Sequence, residues 1–460
     1  MIGSRDYADI GYKQHLTVPE GDLGNSQWID KNEHQEIARQ ILEKIKVAKT
    51  FSHELITDCY NRCDSLIRIS KKISKMDFEA LTNEHLHKIF SEWSDGYLKL
   101  VRHMYTPHII ELALTTEITD WLNQKLKTLD KQEKIEQHLS IILISTKETF
   151  ATQEQKELLK IAEKAKQLSN TEVDELIERH AKKWAWMPMV NIGNKPRDKD
   201  SFKAVFNSLK GSGKPENRLA EIEKERNRQI KEMHNLLQEL TPPENIKQMI
   251  ETLQEFIFLR TYRMDVYGQA NYFVQPLLNE IASRASLTSV ELLYLTHLEI
   301  LEFLKGRQIP SKDEIKRRTS AFGFSIKNGV ISPILSGDDA RKLKKTELKE
   351  EESGTILKGN VASRGVAIGR VKIILSVEDI GKIEKGDILV AKMTTPDMTV
   401  GLGKASAIVT DEGGITCHAA IVSREFGITC IVGTHRATKL LIVGDFVKVD
   451  AEKGTIEKIK

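Results

Sequence analysis

The sequence is poor in the residues that mark several common classes of protein. Its 460 residues include four cysteines, and aromatic residues make up 6%. Four cysteines in so long a chain do not form the disulfide framework of a small secreted domain. No apolar run approaches the roughly 18 residues of a membrane span, and residues 1–30 lack the basic-then-apolar order of a signal peptide. We therefore expect a cytoplasmic protein.

Charge of either sign is not in excess. The chain has 69 Lys and Arg residues against 66 Asp and Glu residues, a formal net charge of +3. We therefore expect no broad surface for nucleic acid or anionic membranes. No C-x-x-C spacing accompanies Cys417, His418, Cys430 and His435, so we expect no metal site.

Apolar residues recur at three- and four-residue spacing through most of the first 336 residues. This spacing predicts amphipathic helices. No internal period of 20–50 residues is present, which excludes a solenoid. The predicted segments are an irregular lead-in over residues 1–30, a helical domain over 31–190, a linker over 191–216 and a second helical domain over 217–336.

The linker is predicted because Pro188, Gly193, Pro196 and residues 210–215 break the helical pattern. Within it, the sequence Gly-Ser-Gly-Lys at residues 211–214 superficially resembles a phosphate-binding loop. It lacks the four-residue spacing, the Ser or Thr after the lysine and the preceding buried strand of that motif. We therefore interpret the segment as a flexible connector.

The sequence pattern changes in the last third of the chain. Residues 337–355 are charged and have no clear apolar face, and we interpret them as a tether. Over residues 356–460, short runs of period two are separated by glycines or polar turns, which predicts a compact, mostly β domain with a few helices. The predicted fold class is multidomain, with a large mainly α-helical N-terminal region followed by a C-terminal β/α domain.

The most informative stretch follows a predicted buried strand at residues 405–410. Two glycines in Asp411-Glu-Gly-Gly-Ile-Thr-Cys-His418 allow a tight turn. The pattern over residues 419–425 is helical, and Gly427 stands where a helix should end. His418 is thus predicted at a helix N-terminus, where unpaired N–H groups and the helix dipole favour an anion. An imidazole there could hold a phosphoryl group as phosphohistidine.

This stretch resembles the phosphohistidine signature of the phosphoenolpyruvate-utilising enzymes, such as phosphoenolpyruvate synthase, pyruvate phosphate dikinase and rifampin phosphotransferase. The residues that match the signature are Gly413, Gly414, Thr416, Cys417, His418, Ala419, Ala420, Arg424, Glu425 and Gly427. The resemblance implies that residues 356–460 form the swivelling phosphohistidine domain of that family and that His418 becomes phosphorylated. It extends only loosely to the preceding helices.

Residues around His418 are assigned supporting roles. The Gly413-Gly414 turn would bring backbone N–H groups close to the phosphate. Thr416 would either hydrogen-bond the phosphate, orient the ring or simply cap the helix. In related enzymes a threonine at this position can be a regulatory phosphorylation site. Arg424 would either contact the phosphate or brace the loop through an acidic neighbour.

The resemblance also implies partners. A complete member of the family carries an ATP-grasp nucleotide domain, and the dikinases add a barrel that binds phosphoenolpyruvate or pyruvate. The helical pattern of residues 1–340 predicts no ATP-grasp domain, and no barrel sequence follows Lys460. We therefore expect a subunit similar to the histidine-bearing subunit of phenylphosphate synthase. A separate ATP-grasp subunit would bind ATP and Mg²⁺, and this chain alone would bind no cofactor.

The phosphoryl acceptor is expected to be a small molecule bound by the helical region. Candidates for its pocket are His180, Trp184, Trp186, Arg260 and Arg263. In the structural alternative, the aromatic residues belong to a core and the arginines pair with nearby carboxylates such as those of Asp265 or Glu255.

The sequence also leaves a second function open. In this alternative the chain is a non-catalytic interaction or regulatory protein that keeps the C-terminal domain as a docking module. The phosphoryl donor is open between ATP and phosphoenolpyruvate, and the missing barrel sequence favours ATP.

Overall fold

The chain divides into two compact units, Met1–Lys349 and Glu350–Lys460. The division falls inside the segment that was predicted to be a tether. Each unit has hydrophobic cores of its own. The computed structural model describes residues 14–20, 24–48, 50–131, 134–190, 192–211, 215–328, 330–347, 356–375, 377–394, 402, 404–414, 417, 419–420, 422–423 and 427–459.

The N-terminal unit consists mainly of helices, as the apolar spacing predicts. In chain order they are α1 (Lys31–Val47), α2 (Phe51–Ile73), α3 (Asn83–Val101), α4 (Thr106–Thr128), α5 (Ile135–Ile142), α6 (Phe150–Lys164), α7 (Asn170–Trp184), α8 (Lys199–Gly211), α9 (Pro215–Leu240), α10 (Glu244–Phe273), α11 (Gln275–Arg284), α12 (Ser289–Leu292), α13 (His297–Leu304), α14 (Lys312–Ser320) and α15 (Gly337–Glu347). Within the described residues, no helix is both long and apolar enough to cross a membrane.

Helix starts coincide with capping residues. The Thr82 side chain accepts a hydrogen bond from the backbone N–H of His85 (3.3 Å) at the start of α3. Ser169 and Glu172 form a reciprocal capping box at the start of α7. Such contacts satisfy N–H groups that have no partner within the helix. Local sequence therefore sets where these helices begin.

The two predicted helical domains share one apolar core. Buried residues of α2 to α5 pack in the same cluster as buried residues of α9 to α14, and Leu122 and Leu253 are both fully buried within it. The division into separate domains at residues 190 and 217 is therefore wrong. A smaller cluster is built from α6, α7 and α8 and is centred on Trp184, Trp186 and Phe202.

Three segments predicted to be irregular contain regular structure. The lead-in forms β1 (Gln14–Glu20) and β2 (Gly24–Ile29), and β1 pairs antiparallel with β3 (Phe322–Lys327). The same small sheet includes β4 (Val330–Ile331) and β5 (Leu335–Ser336). The prediction failed because the pairing of β1 with β3 joins segments about 300 residues apart, which no local pattern reports.

The linker and the tether also contain helices. Helix α8 lies within the predicted linker, and its Phe202 is fully buried. Helix α15 covers most of the predicted tether: Ala340 is fully buried and Asp339 lies 3.2 Å from Arg317. Both helices are short and charged, and each has only a few buried positions. The apolar spacing was therefore too weak to predict a helix. Residues 212–214 of the glycine-lysine sequence lie outside the described residues.

The C-terminal unit contains a mixed sheet. Its strands are β6 (Ile356–Lys358), β7 (Asn360–Ser363), β8 (Val366–Ile374), β9 (Ile388–Ala391), β10 (Ala407–Thr410), β11 (Thr429–Val432), β12 (Phe446–Asp450) and β13 (Thr455–Lys458), in the order β6-β13-β12-β8-β9-β10-β11-β7. A 3₁₀ helix spans Val377–Lys382 and a short helix, α16, spans Ala437–Leu440. The prediction of a β/α domain after a mainly helical region is confirmed.

The centre of this sheet is parallel and covered on both faces. Strands β8, β9, β10 and β11 run parallel, with Ala391 beside both Ile374 and Thr410. Alternate residues face two apolar clusters: Leu389 lies in one and Ile388 in the other. Burial on both faces is typical of parallel sheets. Because parallel strands end at one edge, the loops after β9, β10 and β11 meet there.

Candidate functional site

The predicted phosphohistidine loop follows β10 at the carboxyl edge of the parallel strands. In open α/β sheets this edge is where ligands bind. His418, Thr416 and Arg424 lie outside the described residues, and their roles stay predictions. The described neighbours define the start of the loop: residues 411–414 lead out of β10, and Cys417 is half-buried.

Gly413 has a backbone conformation that requires glycine. Its φ angle is +116°, a value that residues with a side chain rarely adopt. A Cβ atom at this position would also lie 2.8 Å from the Sγ atom of Cys417. At Gly414, by contrast, no atom of the described residues lies within 4 Å of the place that a Cβ would occupy. This geometry suits the predicted approach of backbone N–H groups to a phosphate.

The carboxylate of Asp411 ties this loop to the next one. Asp411 is 4% exposed and accepts hydrogen bonds from the Thr434 hydroxyl (3.2 Å), the Thr438 backbone N–H (3.1 Å) and the Thr438 hydroxyl. Its backbone carbonyl accepts from the N–H of His435 (2.9 Å). Since Thr434 follows β11, the loops after two neighbouring strands are held together.

From the sequence, Asp411 is one of two acidic neighbours, with Glu425, through which Arg424 could brace the loop. The signal that could have identified its role is an acidic residue placed directly after a buried strand, because such a carboxylate needs several hydrogen-bond donors. Those donors come from residues more than 20 positions further along the chain, so their identity required the structure.

Two further segments adjoin the glycine turn. From the loop after β9, the Lys392 carbonyl accepts from the Glu412 N–H (2.8 Å), and its Nζ atom lies 3.5 Å from Glu412 Oε1. Asn360, the first residue of β7, lies close to Gly433: its Nδ2 atom is 3.1 Å from the place that a Cβ of Gly433 would occupy. The Gly413 carbonyl oxygen is 3.0 Å from the same place. Four segments of the chain thus converge at this edge.

Cys430, one of the four residues weighed for a metal site, lies in an apolar core of the C-terminal unit. The Sγ atom of Cys430 is buried and lies 3.9 Å from the carbonyl oxygen of Ala419. Among the residues that the structure describes, no three His, Cys, Asp or Glu side chains come close enough together to hold a metal ion.

The aromatic candidates for an acceptor pocket lie in a packed core. Both ring nitrogens of buried His180 contact carboxylates, with Nε2 2.9 Å from Glu154 and Nδ1 3.2 Å from Glu157. Trp184 and Trp186 are 3% and 4% exposed in the cluster around α7. The structure gives these three residues packing roles, and their part in an acceptor pocket stays a prediction.

The arginine candidates differ in burial. Arg263 is 2% exposed and its Nη1 atom donates to the carbonyl oxygen of His103. The Arg260 side chain is 40% exposed and lies 3.5 Å from Glu111. In the described part of the chain, no hydrogen bond, ion pair or ring contact joins either arginine to His180, Trp184 or Trp186.

Neither carboxylate named as a structural partner pairs with these arginines. Glu255 forms an ion pair with Lys147 and accepts from the hydroxyl of Tyr60 (2.5 Å). The Oδ2 atom of Asp265 is buried without a hydrogen-bond partner among the described residues. Burial raises the pKa of Asp265 to about 7. Asp265 and Glu255 are therefore not the partners of these arginines. Arg260 pairs with a different carboxylate, that of Glu111, and Arg263 donates to a backbone carbonyl.

Comparisons with known proteins define the class of the C-terminal unit. Residues 383–454 match the family model of the PEP-utilising enzyme, mobile domain. The resemblance to the phosphoenolpyruvate-utilising enzymes is thus confirmed for this part of the chain, and the C-terminal unit contains a mobile domain of that kind.

Phosphoenolpyruvate synthases are among the relatives. The chain is 54% identical over 139 residues to a probable phosphoenolpyruvate synthase of Archaeoglobus fulgidus, a match that covers 29% of this chain and 18% of the relative. It is 55% identical over 108 residues to the phosphoenolpyruvate synthase of Pyrococcus furiosus, covering 24% and 13%. The match to the Pseudomonas aeruginosa enzyme is 44% over 105 residues, covering 23% and 13%. The chain thus spans less than a fifth of the length of these relatives.

We predict that Asp265→Asn stabilises the N-terminal unit above neutral pH. Because its folded pKa is about 7 and an unfolded aspartate has a pKa of about 3.9, the folded chain retains a proton that the unfolded chain loses. The resulting destabilisation grows between about pH 4 and pH 7 and is fully present at pH 8. The variant should gain up to about 4 kcal/mol at pH 8, which corresponds to about three pKa units, and little at pH 4.

Urea unfolding followed by tryptophan fluorescence measures this effect, because all five tryptophans belong to the N-terminal unit. Glu251→Gln on the same helix is the control, since the Glu251 side chain is 61% exposed. If the free energy of unfolding of Asp265→Asn depended on pH in the same way as that of the native chain, the carboxyl of Asp265 would not be desolvated.

We also predict that Asp411→Ala loosens the loop after β11. The substitution removes the carboxylate that accepts from the Thr438 N–H. A buried donor left without an acceptor lowers the free energy of unfolding by about 1–3 kcal/mol. In the folded variant, the amide hydrogens of residues 434–438 should exchange with solvent roughly tenfold faster or more than in the native chain. Asp445→Ala is the control, because Asp445 accepts from the Ile442 N–H (2.9 Å) in the same unit. Equal exchange at residues 434–438 in both variants would contradict the role of Asp411.

Proposed function

We propose that this chain carries a phosphoryl group on His418 and transfers it to an acceptor. The observation that carries the proposal is the position of the loop: it leaves β10 at the carboxyl edge of a parallel sheet, within a domain that matches the mobile domain of the phosphoenolpyruvate-utilising enzymes. The names of the relatives, phosphoenolpyruvate synthases, support phosphoryl transfer as the chemistry.

The proposed reaction has two balanced half-steps. In the first, a ring nitrogen of neutral His418 attacks the phosphorus of the donor in line, the N–P bond forms, and the bond to the leaving oxygen breaks. In the second, an acceptor oxygen attacks the same phosphorus and the N–P bond breaks, which returns the imidazole. The electron pair of each broken bond leaves with the departing atom, and the proton of the acceptor hydroxyl passes to a base.

The chain contributes electrostatics and position to both steps. Backbone N–H groups of the Gly413-Gly414 turn would face the equatorial oxygens, where negative charge concentrates. Asp411 would not touch the phosphate. It would act as a positioning residue, since its hydrogen bonds to Thr434 and Thr438 fix the segment from which the loop begins.

We infer further that the donor is ATP held with Mg²⁺ by a separate ATP-grasp subunit, and that the acceptor is a small molecule. An ATP-grasp domain is rich in β-structure, whereas the described part of the N-terminal unit is mainly helical, with a small antiparallel sheet. The helical unit would then serve the acceptor or the donor subunit.

Labelled ATP tests this proposal. The native chain is incubated with a candidate ATP-grasp subunit and with ATP that is labelled in its triphosphate. It should acquire a label that acid removes and base preserves, as expected of phosphohistidine. The label should be absent from His418→Ala and present in His53→Ala, which removes an exposed histidine of α2. A label that survives in His418→Ala would overturn the assignment of the carrier.

A further inference from the structure

His435 has a backbone conformation that disfavours its side chain. Its φ angle is +64°, in the left-handed region that glycine adopts readily and other residues rarely do. Two positions earlier, Gly433 has a φ of +70°. A residue with a side chain in this region is strained, because its Cβ atom comes close to the following carbonyl oxygen.

The neighbouring loop holds His435 in this conformation. Its backbone N–H donates to the carbonyl oxygen of Asp411 (2.9 Å), and the preceding N–H, of Thr434, donates to the carbonyl oxygen of Thr410 (3.0 Å). The segment after β11 therefore follows the segment after β10 residue by residue. His435 is fixed directly beside the start of the predicted phosphohistidine loop.

Packing does not explain why histidine occupies this position. The side chain of His435 is exposed, so it gains little burial energy to offset the strain of its backbone. A glycine would adopt the same conformation without that cost. A strained residue with an exposed polar side chain, at the ligand-binding edge of a parallel sheet, is the pattern expected of a functional contact.

We propose that the imidazole of His435 contacts the phosphoryl group carried by the loop after β10. A ring N–H of His435 would donate to a phosphoryl oxygen, and the bond would be charge-assisted because the acceptor is anionic. No covalent bond forms or breaks at His435. This inference rests on the proposed function, since it assumes that His418 is the carrier, and it names a second side chain at the same site.

Chemical phosphorylation tests the contact without a donor subunit. Phosphoramidate transfers its phosphoryl group to histidine side chains, and the product is followed at fixed pH by intact mass, peptide mapping and ³¹P NMR. In the native chain, His418 should be phosphorylated. In His435→Gly the initial rate at His418 should fall about tenfold, the effect of losing one charge-assisted hydrogen bond of about 1.4 kcal/mol. The ³¹P resonance of phospho-His418 should shift.

Stability separates this role from a structural one. His435→Gly relieves the backbone strain, so its melting temperature should equal or exceed that of the native chain while phosphorylation slows. His435→Asn keeps a side-chain donor and tolerates positive φ, so it should recover part of the rate. Asn328→Gly is the matched control, because Asn328 has a φ of +52° in the other unit; it should leave phosphorylation unchanged.

The outcomes distinguish the two proposals. If the native chain is phosphorylated at His418 and His435→Gly matches it in rate and in ³¹P shift, the contact is disproved and the proposed function stands. A phosphoryl group mapped to His435 would also overturn the contact, because His435 would then be a carrier. If His418 of the native chain is not phosphorylated, the proposed function fails and the contact fails with it.

Discussion

The buried carboxylate of Asp411 is the contact on which the candidate site depends. A carboxylate that is 4% exposed is costly unless donors surround it, and here the donors come from Thr434 and Thr438. The carboxylate belongs to the loop after β10 and the donors to the segment after β11. The two loops are therefore fixed relative to each other. The glycine turn, which follows Asp411 directly, begins at a fixed position beside the segment after β11.

Glycine supplies the second constraint at this edge. Because Gly413 has φ +116° and no room for a Cβ beside Cys417, the chain turns sharply as soon as it leaves the sheet. A sharp turn at the carboxyl end of a buried parallel strand leaves backbone N–H groups available to a ligand rather than to the ladder. In the proposed function, these N–H groups would face the phosphoryl oxygens.

Local patterns were sufficient for much of this structure. The short apolar run at residues 405–410 predicted the buried strand that the structure shows as β10. Pairings between distant segments were beyond local reasoning: β1 against β3, and Asp411 against Thr438. Helix α15 was not predicted because charged residues dominate its sequence. The left-handed backbone of His435 could not be predicted either, because only a small fraction of histidines adopt that conformation.

The central claim is that a phosphoryl group on His418 lies at the carboxyl edge of the parallel strands, against the glycine turn. A crystal structure of the phosphorylated chain tests it most directly. We expect the phosphoryl oxygens within hydrogen-bond distance of backbone N–H groups at Gly413 or Gly414, with the phosphorus open to solvent. A phosphoryl group or imidazole enclosed inside the domain, away from that edge and out of reach of a nucleotide-binding protein, would contradict the account.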